Sequence, residues 1–91
     1  MDKHEFARTV INDDNVLDVY ANLYSRWQDE CGYEDINEYG KFICKHINKI
    51  GKADFVEATS EPFGVKVKYG KDVIHFFAKV NGEYLSVCAK G

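Results

Sequence analysis

The stretch FGVKVKYGKDVIHFFAKVNGEYLSVCA, Phe63 to Ala89, decides where most of the chain's other apolar residues must go. Val80-Asn81-Gly82-Glu83 reads as a two-residue type I′ hairpin, because both central residues need positive φ and Asn-Gly supplies it at least cost. Tyr69-Gly70-Lys71-Asp72 reads as a second tight hairpin with Gly70 at the first central position of a type II′ turn. The two turns check each other. Pairing Val80 with Glu83 sets Ala78 against Leu85, Phe76 against Val87 and Ile74 against Ala89. Pairing Tyr69 with Asp72 sets Val67 against Ile74, Val65 against Phe76 and Phe63 against Ala78. Both registers turn the same side of the middle strand inward, so three strands share one continuous apolar face.

The same registers assign the opposite face. Its middle strand carries Val73, His75, Phe77 and Lys79, flanked by Gly64, Lys66 and Lys68 on one side and by Tyr84, Ser86 and Cys88 on the other. Phe77 is expected between Gly64 and Ser86, small neighbours that leave its ring accessible, with Lys71 at the nearby turn. An aromatic on an open sheet with a lysine fringe suits a protein contact, which has an apolar centre within a charged rim. It also suits base stacking with phosphate neutralisation. Lys66, Lys68, His75, Phe77, Lys79 and Tyr84 are therefore the candidate binding residues.

Earlier in the chain the pattern is helical. Asp2-Lys3-His4-Glu5 has capping-box spacing and opens a short helix with Phe6 and Val10 inward. Asn12-Asp13-Asp14-Asn15 interrupts it, since these side chains compete for backbone hydrogen bonds. Val16, Tyr20, Leu23 and Trp27 form the stripe of a second helix, expected to stop near Glu30 at Cys31-Gly32. Asp35-Ile36-Asn37-Glu38 is another capping box; Ile36, Tyr39, Ile43, Ile47 and Ile50 follow on one face, and Gly51 is expected to close this third helix. Residues 53–59 alternate weakly and predict a short edge strand, which Ser60-Glu61-Pro62 turns into the meander. The reading is one α+β domain over residues 1–91. Three helices lie on one face of a three- to four-stranded antiparallel sheet, in the order αααββββ.

Composition bounds the function. Ninety-one residues with 45% hydrophobic and 30% charged content describe an ordinary globular domain. No apolar run approaches the ~20 residues that span a bilayer, and the first residues lack the apolar segment of a signal peptide, so a cytoplasmic protein without a membrane partner is expected. Three cysteines, odd in number and widely spaced, fit a reducing compartment. The net charge of −3 conceals a dipole: residues 1–38 hold ten acids against three bases, and residues 39–91 hold nine lysines against five acids. Asp13, Asp14, Asp18, Asp29 and Glu30 form a candidate acidic surface, as a DNA-mimicking inhibitor would need, although their density is low for that role.

Chemistry is sparsely signalled. The expected register sets His75 opposite Cys88, the residue types of a thiolate–imidazole pair, but on a flat strand surface without oxyanion donors or a third orienting group. Cys44 and His46, two apart on a helix, point to different sides and do not make a zinc site. No glycine-rich phosphate cradle and no cofactor motif occurs, so a non-enzymatic protein with neither metal nor cofactor is expected. Ten Lys against two Arg, with many Asn, Ile, Tyr and Phe, suits an AT-rich genome. Together these features suggest a small inhibitor or adaptor of phage or mobile-element type, blocking a host enzyme or defence complex. Its partner would be another protein, a second copy included, with nucleic acid the less favoured alternative because the acidic half opposes phosphate.

Overall fold

Both hairpins are present in the computed structural model, which describes residues 1–29 and 35–91. Three helices, α1 (Lys3–Ile11), α2 (Asp14–Asp29) and α3 (Ile36–Ile47), precede four strands, β1 (Asp54–Ser60), β2 (Phe63–Tyr69), β3 (Asp72–Asn81) and β4 (Tyr84–Lys90). The strands form one antiparallel sheet in the order β1-β2-β3-β4. No helix of the described residues is long and apolar enough to cross a membrane.

Local chemistry starts each helix. Asp2 accepts the Glu5 N–H at 2.8 Å, Asp13 accepts that of Val16 at 3.0 Å, and Asp35 accepts that of Asn37 at 2.9 Å, each satisfying a donor the first turn leaves unpaired. The expected end of α2 at Cys31-Gly32, with Glu30, lies outside the described residues. The third helix ends earlier than Gly51. Asn48 caps it, and the Asn48 side chain then bonds both backbone groups of Ala53, donating to its carbonyl at 2.7 Å and accepting its N–H at 2.9 Å. A side-chain amide thus acts as a strand partner and sets the entry to β1. Gly51 instead leaves room for Phe6: a Cβ there would lie 2.9 Å from the ring.

The helices bury one face of the sheet. Phe63, Val65, Val67, Ile74, Phe76, Ala78 and Val87 meet Phe6, Val10, Val16, Tyr20, Tyr39, Ile43 and Ile47, each Val, Ile and Phe side chain contributing about 1.5–3 kcal/mol on burial. Aromatic rings fix the layer spacing. Phe6 stacks on Tyr69 at 4.0 Å and meets Phe76 edge-on at 6.0 Å, while Phe63 gathers Tyr20, Tyr24 and Tyr39. Gly40 brings α3 onto β1, since a Cβ at that position would lie 2.7 Å from the Ala58 Cβ.

The first hairpin has the expected register, Tyr69 opposite Asp72 and Val65 opposite Phe76. The second turns one residue later. Asn81 pairs with Tyr84, leaving Gly82 and Glu83 as the central residues, so Val80 faces Leu85, Ala78 faces Val87 and Phe76 faces Ala89. Gly82 thereby takes the same place as Gly70, with φ of 65° and 63°. Glycine reaches this left-handed conformation without the Cβ penalty Asn81 would meet there. Each residue of β3 meets a partner two places further along than expected, and a two-residue shift conserves the face.

Candidate functional site: the open face of the sheet

No element of the described residues covers the other side of the sheet, whose side chains stand in rows across the strands. One row runs Thr59, Gly64, Phe77, Cys88; the next runs Glu57, Lys66, His75, Lys90. Beyond them lie Asp54, Lys68 and Val73, and on the hairpin side Lys79 and Ser86, with Tyr84 82% exposed at its end. The shifted register corrects two expectations. Phe77 sits between Gly64 and Cys88, not Ser86, and His75 faces Lys90, not Cys88. His75 and Cys88 are instead diagonal neighbours in adjacent rows of the same face.

Phe77 is half-buried although nothing lies over it, because the sheet itself surrounds it. The His75 ring stands 5.2 Å away, inclined at 44°. Gly64 keeps the other flank low for a backbone reason: a Cβ there would come 2.2 Å from the Phe76 carbonyl oxygen and 2.7 Å from the Phe77 Cα. This close approach of β2 to β3 requires glycine.

His75 is held in one tautomer. The Thr59 hydroxyl lies 2.6 Å from the Pro62 carbonyl, which has no proton to give, so Thr59 donates there. Its contact of 2.9 Å with His75 Nε2 must then be one in which the imidazole N–H donates, leaving Nδ1 as acceptor. Burial lowers the imidazole's pKa from 6.5, and Lys66 and Lys90 lower it further against the opposing pull of Glu57. Neutral His75 therefore extends the uncharged centre of the face.

The lysine fringe is partly neutralised by residues of β1. Lys66 makes an ion pair with Glu57 at 2.9 Å, and Asp54 stands opposite Lys68. Sequence reasoning missed Glu57 and Thr59. Strand β1 carries a bulge between Phe55 and Glu57, which breaks the alternation that would have assigned its side chains to faces. The usable signal was the Ser60-Glu61-Pro62-Phe63 segment, which places Ser60 opposite Phe63 and brings Thr59 beside Gly64.

The acidic candidates are less concentrated than their sequence spacing implies. The Asp13 carboxylate is engaged at the start of α2, and Asp13 and Asp18 share a depression with His46 and Lys49, so bases interrupt the acids. Asp14 and Asp29 lie exposed at opposite ends of α2; Glu30 is outside the described residues. Cys44 is buried against the Ala53 carbonyl at 3.6 Å; burial, and secondarily Asp54, push its thiol's pKa up, which suits packing over reactivity. No protein-family model, curated protein or solved structure matches the chain.

Proposed function

We propose that the protein works by binding another protein through the open face of its sheet, with Phe77 as the anchor. One observation carries the reading: an uncharged row of Thr59, Gly64, Phe77 and Cys88 runs across all four strands, with Glu57, Lys66 and Lys90 along one flank and Lys79 on the other. An apolar centre within a mixed-charge rim matches protein recognition, where rim charges set register and on-rate and the centre supplies affinity. A phosphate backbone would favour a rim of one sign. The Lys66–Glu57 pair and the Asp54–Lys68 juxtaposition weaken that alternative. In this reading the chain is a non-enzymatic inhibitor or adaptor, of the phage or mobile-element kind its composition suggests.

The test is capture of partners from the native host by the wild type and by Phe77→Asp. The variant should fold, because position 77 faces away from the helices, and should lose the partners that the wild type retains. Equal capture by both would overturn the reading. A nucleic-acid ligand would instead show binding that falls steeply with added salt and is lost in Lys66→Ala.

A further inference from the structure

The two edges of the sheet are built differently. Strand β1 is interrupted by its bulge and presents Asp54 and Glu57, features that discourage a further strand. Strand β4 runs seven residues without a break in register, and its only charged residue is the terminal Lys90. Because Asn81 and Tyr84 close a two-residue turn, they form a hydrogen-bonded pair. Alternation then directs the backbone groups of Ser86, Cys88 and Lys90 toward β3 as well, and those of Leu85, Val87 and Ala89 outward at the free edge.

We propose that this edge is completed by β4 of a second copy of the chain, joined antiparallel about a two-fold axis at Val87. In that register Val87 meets Val87 of the second copy, and Leu85 meets Ala89. Every outward N–H and C=O of the three residues then has a partner, which no other two-fold register of this strand achieves. The side chains agree with it. Tyr84 falls opposite Lys90 and Ser86 opposite Cys88, so no two like charges face each other. A two-fold axis normal to the sheet keeps the helices of both copies on one side, giving one eight-stranded sheet whose open faces are continuous. Closure also follows from the edges: head-to-tail addition of β4 to β1 would propagate without end, and the β1 bulge opposes it. This inference concerns the edge and does not depend on what the face binds.

The register supplies its own test. Ser86 and Cys88 of the second copy would form a non-hydrogen-bonded cross-strand pair, with Cα atoms about 4.5 Å apart, within disulfide range. In a Cys31→Ser background, mild oxidation of S86C should give a covalent dimer, and S86C combined with Cys88→Ser should not. Sedimentation of the unmodified protein should show a dimer at micromolar concentration. Ala89→Pro removes an outward N–H without touching the bonds to β3, so it should raise the dimer dissociation constant at least tenfold while the circular dichroism is retained. A monomer at all concentrations up to millimolar, or S86C that oxidises without cross-linking, would overturn the proposal.

Discussion

The hydroxyl of Tyr20, in α2, donates a hydrogen bond of 2.6 Å to the carbonyl oxygen of Phe76, in the middle of β3. Both residues are fully buried, so the bond ties helix layer to sheet where water cannot compete. Tyr20→Phe keeps the ring and removes this bond, while the carbonyl stays paired with Val65 in the ladder, so the change should cost about 0.5–1.5 kcal/mol in urea unfolding.

The same burial raises the Tyr20 phenol's pKa well above its usual value of 10.0, because the charged form would lie in the core; a backbone hydrogen bond from Val65 opposes the shift only in part. A raised folded pKa means that the stability contribution is complete below pH 10 and is lost as the pH rises beyond it. Wild type should therefore lose stability above pH 10 more steeply than Tyr20→Phe. Parallel pH profiles for the two proteins would refute this.

At the α3–β1 junction, Asn48→Ala should destabilise by about 1–2 kcal/mol, since it removes both bonds to Ala53 and the bond from Nδ2 to the Cys44 carbonyl. Asn48→Asp keeps the acceptor for the Ala53 N–H but sets a carboxylate oxygen against the Ala53 and Cys44 carbonyls, and should melt no higher than the alanine variant. An alanine variant as stable as wild type would show that the turn holds itself.

Gly64→Ala tests the floor beneath Phe77. The atoms its Cβ would meet are backbone, so β2 and β3 must part locally, at about 1–3 kcal/mol. The amide resonances of Val65, Phe76 and Phe77 should move most. By contrast, Gly70→Ala meets no neighbouring atom and is strained only by its φ of 63°.

His75 offers a spectroscopic check. The Thr59 geometry requires the Nε2–H tautomer, visible in long-range nitrogen–proton spectra, and the lowered pKa requires a titration midpoint below 6.5. A depressed histidine pKa contributes stability that is present above the unfolded value and lost as pH falls through the folded one. The loss on acidification below pH 6.5 should be smaller in His75→Gln. Observation of the Nδ1–H tautomer would reverse the assignment of donor and acceptor.

The sequence by itself determined the element order, the caps at Asp2 and Asp35, the inward stripe of each helix and which side chains share each face of the meander. These depend on periods of two and 3.6 residues and on short-range turn chemistry, which neighbouring positions suffice to specify. Even the misplaced second turn left the faces unchanged, because the displacement was by two residues. Only the tertiary structure decided what stands beside Phe77. The choice of Gly82 over Asn81 for the first turn position brought Cys88 to that ring, and the bulge in β1 brought Glu57 to Lys66. Asn48 joining Ala53 and Tyr20 reaching Phe76 are likewise contacts between elements, selected by how the layers pack. Such contacts depend on distances across the fold that no local period encodes, and they made the open face a mixed-charge surface with an uncharged centre.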